Sequence, residues 1–212
     1  MVHFEELNRA VIDGDGEAAV RLTEQAIGEG VSAAEILDKG LIPGLRQVGE
    51  LFAGGEYFLP ELIVSGEAVT TALELVEPLL LEAGIPPMGK FLIGTVQGDV
   101  HDLGKNIVVM MLRGNGWEVT DLGVDISPEE FCAAVKTGDY QVLGMSSLLT
   151  MTMPNAARTI EALTEAGLRD KIKIMVGGAP VTREWVEQIG ADAYAKDGPS
   201  TSQAAAALLG KA

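Results

Sequence analysis

The chain has 212 residues, enough for one or two domains with apolar cores of their own, so neither a disulfide framework nor a structural metal is needed for folding. Fifteen Lys and Arg stand against 31 Asp and Glu, a formal charge of −16 that repels phosphate backbones and argues against a nucleic-acid partner. The single cysteine, Cys132, excludes an internal disulfide and fits a reducing compartment. The acidic opening, residues 1–6, lacks a signal peptide's basic region, and no apolar run reaches membrane-span length, so a cytoplasmic location is expected.

From residue 5 to about residue 83, apolar residues recur every three or four positions, as in Leu62, Val69, Leu73, Val76 and Leu80, the pattern of helices that bury one face. Four helices are predicted. Gly14-Asp15-Gly16 separates the first two, Gly28-Glu29-Gly30 ends the second, and Ser32 offers an N-cap for the third. That third helix turns Ile36, Leu37, Leu41, Leu45 and Val48 inward, with a kink expected at Pro43. A turn at Gly54-Gly55-Glu56-Tyr57-Phe58-Leu59-Pro60 precedes a long final helix. Residues 1–84 therefore read as a small helical bundle, and residues 85–89, which include Pro86 and Pro87, read as a linker.

Residues 90–212 alternate strand and helix. Strands are predicted at 90–96, 118–121, 142–146, 172–176 and 193–195, and the last helix at 198–209. Short, almost continuously apolar strands are buried on both faces, which implies a five-stranded parallel sheet covered by helices, an α/β fold of flavodoxin-like, Rossmann-like type. Cys132, in the helix that follows Ser127-Pro128, reads as a small packed residue.

The first strand runs into Gly98-Asp99-Val100-His101-Asp102-Leu103-Gly104-Lys105-Asn106. An open α/β sheet takes its ligands at the carboxyl ends of its strands, so His101 is well placed to touch one. A lone histidine is more often a hydrogen-bonded structural residue than a ligand. Asp99, two residues back, can hold one ring nitrogen and leave the other for a metal. A zinc site is poorly supported, because only His3 and Cys132 could complete it. One protein ligand suffices where a cofactor supplies the others. The loops after the third and fourth strands, Ser146-Ser147-Leu148-Leu149-Thr150-Met151-Thr152 and Gly177-Gly178, fall at the same edge. The paired glycines are either a turn or bare backbone on which a large planar ligand can lie; their position beside His101 favours the second.

Asp99-x-His101-x-x-Gly104, then after 41 residues Ser146-x-Leu148, then after 28 more Gly177-Gly178, resembles the signature of cobalamin-binding domains that hold the cofactor base-off with histidine as lower axial ligand. The helical half resembles the cap bundle of methionine synthase and of methyltransferase corrinoid proteins. It carries this likeness in Leu41-Ile42-Pro43-Gly44-Leu45-Arg46-Gln47-Val48-Gly49-Glu50-Leu51-Phe52 and in Tyr57-Phe58-Leu59-Pro60-Glu61-Leu62, so the resemblance covers almost the whole chain.

The resemblance implies cobalamin, carried as methylcobalamin and cycling between Co(I) and Co(III), with His101 as lower axial ligand of cobalt. It makes Asp99 the holder of the imidazole proton and Thr152 the hydroxyl that ends the relay, where methionine synthase usually has serine. Gly98, Asp102, Gly104, Ser146, Leu148, Thr150, Gly177 and Gly178 would contact the cofactor from below. Phe52 and Leu59, otherwise ordinary bundle core, would cover the upper face of the corrin, with Tyr57 a less certain neighbour.

The function so implied is that of a methyl carrier, not catalytic by itself. It would take a methyl group from a substrate:corrinoid methyltransferase and pass it to an acceptor methyltransferase that uses tetrahydrofolate or coenzyme M, with an ATP-dependent reductive activase as third partner. The chain ends soon after the cobalamin domain, so no substrate or folate module is expected. The rival reading is an adenosylcobalamin-dependent sensor, but such proteins usually carry a basic DNA-binding domain in front, and this acidic chain begins with the bundle. A mutase small subunit shares the lower-face motif and lacks this kind of cap.

Overall fold

A computed structural model of the chain describes residues 4–211, which fall into two compact units, residues up to 87 with 113–116, and 88–112 with the remainder. His3 and the first residues of the acidic opening lie outside the described part.

The first unit is helical: α1 (Phe4–Asp13), α2 (Gly16–Gly28), α3 (Ala33–Glu35), a π-helical turn (Ile36–Leu41), α4 (Ile42–Ala53) and α5 (Leu59–Glu82). The N-cap expected at Ser32 forms, and Asp15 makes a second one. Asp15 accepts from the Ala18 N–H at 2.9 Å, and Ser32 accepts from Glu35 at 3.3 Å. Leu7, Val11, Ile36, Leu41, Leu45, Val48, Leu62, Val69 and Val76 make the buried core, while Leu80 is only half-buried.

The helix runs on through Pro43 without a break, but it changes form just before it. The proline's missing N–H would leave the Lys39 carbonyl without a donor, and the chain widens into the π turn, in which Ile42 N–H reaches back to Leu37. The Asn8 side-chain amide, from α1, donates to Lys39 O at 2.8 Å and Gly40 O at 2.7 Å and so satisfies carbonyls in the widened turn. The two helices can come this close because Gly40 and Gly44 have no side chains: a Cβ at Gly44 would lie 2.9 Å from the Val11 Cβ and 3.0 Å from the Asn8 carbonyl oxygen.

In the second unit β1 (Lys90–Thr95), β2 (Glu118–Asp121), β3 (Val142–Ser146), β4 (Lys173–Gly177) and β5 (Ala193–Ala195) form one parallel sheet in the order β2-β1-β3-β4-β5. This is the expected flavodoxin-like arrangement. Strand β4 starts one residue later than predicted, because Arg169–Lys171 makes a tight 3-10 turn just before it.

Alternate residues along the strands feed two cores. Leu92, Leu143, Met145, Ile174 and Val176 pack with Phe131, Ile160 and Leu163 on the side of α7 (Pro128–Thr137) and α8 (Met153–Glu165). Phe91, Ile93, Val142 and Met175 pack with Val109, Leu112 and Ala205 on the side of α6 (Leu103–Gly114) and α10 (Gly198–Leu208). Cys132 is half-buried against the first of these cores, and burial pushes its thiol up. A short helix, α9 (Arg183–Gln188), precedes β5.

The chain leaves β1 toward β2 on one side and returns to β3 on the other. The carboxyl ends of β1 and β3 therefore flank the point where strand order reverses, the place where such sheets receive ligands.

Candidate functional site

The loop between β1 and α6 is held from several directions. Asp99 N–H closes a turn on Val96 O at 3.1 Å, Gly98 adopts φ 82°, the Thr95 hydroxyl donates to His101 O at 3.0 Å, and the Asn155 amide donates to Gln97 O at 2.7 Å. Asp99 is fully buried by this folding, while the His101 side chain stays 48% exposed.

Asp99 uses both carboxylate oxygens. Oδ1 accepts from His101 Nδ1 at 2.7 Å and from the His101 backbone N–H at 3.1 Å. Oδ2 accepts from Leu148 N–H at 2.7 Å and from the Thr152 hydroxyl at 2.9 Å. Burial pushes this carboxyl up, but the hydrogen bonds from Leu148, His101 and Thr152 outweigh it and hold the group at about 2. An ionised carboxylate only accepts, so Nδ1 must carry the proton. In the neutral form of the ring this leaves a bare lone pair at Nε2, which has no hydrogen-bond partner among the described residues.

Behind Thr152 stands Ser147, fully buried, its hydroxyl 2.9 Å from that of Thr152 and 3.3 Å from Leu149 O. If Thr152 gives its single proton to the charged acceptor Asp99, Ser147 is left to donate to Thr152 or to Leu149. Sequence reading passed over Ser147, although it lies between two flagged residues. Ser147→Ala orphans no partner, so it should lower unfolding free energy by only about 1 kcal/mol, measured by urea denaturation.

Lys105 and Asp121 are a second feature not anticipated. The Lys105 side chain is buried and donates to the Asp121 carboxylate at the end of β2 and, at 2.9 Å, to Asn106 Oδ1, which fastens the first turn of α6 to the sheet edge. Asp125, in the loop after β2, accepts from Gly98 N–H at 2.6 Å.

The predicted site residues divide into groups. Gly98, Asp99, His101, Asp102, Gly104, Ser146, Leu148, Thr150 and Thr152 all lie in the loops that follow β1 and β3 or at their strand and helix ends. Asp102, Leu148 and Thr150 are exposed; Ser146 is half-buried. Gly177 and Gly178 end β4, and their missing side chains have a packing cause: a Cβ at Gly177 would sit 2.5 Å from Ala195 O, and at Gly178, with φ 138°, 1.8 Å from Ser147 O. Gly104 differs, since a Cβ there would meet no atom within 4 Å. Phe52 and Leu59 belong to the other compact unit, Phe52 half-buried late in α4 and Leu59 exposed at the start of α5.

Around His101 the loops expose Val100, Leu103, Leu148, Leu149 and Met151, the last by 88%. Large apolar side chains grouped in this way mark a binding surface. Among the described residues no three His, Cys, Asp or Glu side chains converge to hold a metal ion. The donor set therefore fits a metal that arrives inside an organic ring and needs one imidazole, with apolar surface beside it.

Comparison with known proteins points the same way. Family models described as B12 binding domains match residues 89–206 and 3–77. A corrinoid protein of Desulfitobacterium hafniense (strain Y51) is 38% identical over 211 residues, 98% of each chain. A dimethylamine corrinoid protein of Methanosarcina acetivorans is 41% identical over 204 residues, covering 96% of this chain and 95% of that one. Among solved structures, a cobalamin-binding protein from Desulfitobacterium hafniense DCB-2 superposes with a TM-score of 0.83 at 28% identity, covering 98% of this chain and 99% of the other. A chain of the methanol:cobalamin methyltransferase complex MtaBC from Methanosarcina barkeri gives 0.84 at 29% identity, covering 99% of this chain and 80% of that one. With its sheet, its histidine loop and both B12-binding matches taken together, the chain belongs to the cobalamin-binding corrinoid proteins.

Proposed function

We propose that the chain is the methyl carrier of a methyltransferase system, holding cobalamin base-off with His101 Nε2 as the lower axial ligand of cobalt. One observation carries this reading: a half-exposed imidazole at the switch point of the sheet, its Nδ1–H tied at 2.7 Å to a buried, ionised carboxylate. Bound cobalamin supplies a cobalt centre able to accept and release a methyl group. The chain's residues supply the rest. Asp99 keeps the proton on Nδ1 and aims the ring, Thr152 and Leu148 N–H fix Asp99, and Ser147 backs Thr152. Gly98, Asp102, Gly104, Ser146, Leu148, Thr150, Gly177 and Gly178 line the path for the displaced nucleotide tail. Residues 1–84 act as the cap, with Phe52 and Leu59 over the upper face, and residues 85–89 are the hinge that lets the cap leave.

The partners we assign are a substrate:corrinoid methyltransferase, an acceptor methyltransferase using tetrahydrofolate or coenzyme M, and a reductive activase. The names of the relatives put methylamines and methanol first among donors to be assayed with candidate methyltransferases.

The decisive experiment titrates the wild type and His101→Ala with hydroxocobalamin. The variant should bind at least about tenfold more weakly and lose the absorption signature of an axial imidazole. Equal affinity with an unchanged spectrum would end the axial-ligand assignment.

A further inference from the structure

Among the described residues, Asp125 alone is a non-glycine residue with a left-handed backbone, at φ 58°. A side chain disfavours that conformation, so something must hold it there. Asp125 N–H donates to Asp99 O at 3.0 Å, and Asp125 Oδ1 accepts from Gly98 N–H at 2.6 Å. Two consecutive residues of the histidine loop are thus gripped by one residue of another loop. The flanking backbone locks the same register, with Thr95 N–H donating to Gly123 O at 3.0 Å and Ile126 N–H to Thr95 O at 2.9 Å.

Core packing does not explain this arrangement. Asp125 is exposed, and glycine, which stands at every other positive-φ position among the described residues, would take the backbone shape at no steric cost. What aspartate adds over glycine is the acceptor for Gly98 N–H. That bond lies one residue before Asp99 and three before His101.

We propose that Asp125 is a positioning residue for the cobalt ligand: it holds Gly98 and Asp99 so that the Asp99 carboxylate stays in register with His101 Nδ1. This rests on the assignment of His101 as axial ligand. Asp125 itself touches neither the imidazole nor the reacting atoms.

The test compares Asp125→Gly, Asp125→Asn and His101→Ala in the full chain carrying nitrogen-15 histidine, with cob(II)alamin as the probe, so that the splitting from the imidazole is told from that of the cofactor's own base and only the former is counted. Asp125→Gly removes the acceptor and relieves the backbone, so the cofactor-free protein should melt within about 4 °C of wild type. Its Gly98 amide should exchange with solvent at least tenfold faster. Cob(II)alamin should bind about tenfold more weakly, and its electron-spin spectrum should show only part of the population with axial-nitrogen splitting. Asp125→Asn tolerates the left-handed backbone and keeps an oxygen for Gly98, so it should restore both readouts to within twofold.

The inference is overturned if Asp125→Gly binds within twofold of wild type with full nitrogen splitting while His101→Ala loses that splitting. It is overturned equally if Asp125→Gly fails to fold, since the residue is then needed for the fold. Should His101→Ala keep the nitrogen splitting, the ligand assignment fails instead, and the Gly98 exchange rate still reports whether the clamp exists.

Discussion

Gly178→Ala is expected to cost about 4 kcal/mol or more of folding stability, a large part of the roughly 5–15 kcal/mol that holds a protein of this kind together. The added Cβ would sit 1.8 Å from the Ser147 carbonyl oxygen, 2.6 Å from its carbon and 3.2 Å from its nitrogen, all backbone atoms that cannot swing aside. Relief requires β4's end to part from Ser147, which breaks the 2.9 Å bond from Ser147 N–H to Gly177 O. At φ 138° the alanine backbone is strained even without the clash. Gly104→Ala is the control. Its Cβ meets open space in the first turn of α6, so helix propensity should leave stability unchanged or raised by about 0.5–1 kcal/mol. Urea unfolding of the two variants checks the contrast, and a Gly178→Ala protein as stable as wild type would show that the loop yields where its geometry says it cannot.

Asp99→Asn should lower stability by roughly 2 kcal/mol at neutral pH and disable the ligand without unfolding the loop. The folded-state value for Asp99, about 2, lies below the 3.8 of an unperturbed aspartate, so its charged form stabilises the fold above that ordinary value. This contribution falls away as pH drops through 3.8 toward 2. The penalty for the asparagine variant should therefore be full at pH 7 and reduced to about a third at pH 2.5, by denaturation at both values. A carboxamide has one acceptor oxygen, and giving it to Leu148 N–H and Thr152 turns its NH2 toward His101. The imidazole must then accept at Nδ1 and carry its proton on Nε2, where no lone pair remains for cobalt. Hydroxocobalamin should bind this variant without an imidazole signature. A stability gap of the same size at both pH values would mean that the carboxylate charge is not the cause.

Features set by local chemistry were legible before any coordinates. The strands announced themselves as short apolar runs, and Asp99 and His101 lie two residues apart in one loop, so their bond needed no knowledge of the rest. Gly177-Gly178 was placed correctly at the sheet edge, but the backbone atoms that forbid side chains there come from Ser147 and Ala195, far away in sequence. Ser147 could not be told from Ser146 by composition, because only the turn after β3 decides which hydroxyl faces Thr152. Asp125 gave no signal at all: its role lies in a backbone angle and in bonds to residues more than 20 positions away. At Pro43 the sequence shows the missing donor, but the partner that satisfies the freed carbonyls, the Asn8 amide, comes from another helix.

The Asp99 carboxylate takes bonds from His101 on one loop and from Leu148 and Thr152 on another. A single group serving two loops makes their lengths interdependent across evolution. An insertion between residues 147 and 152, or between 98 and 101, would pull one set of donors off an oxygen that the other set still needs. Descendants of this sequence are therefore free to vary the exposed side chains at 149 and 151, yet the number of residues in each loop should hold constant, and gaps in an alignment of relatives should fall elsewhere.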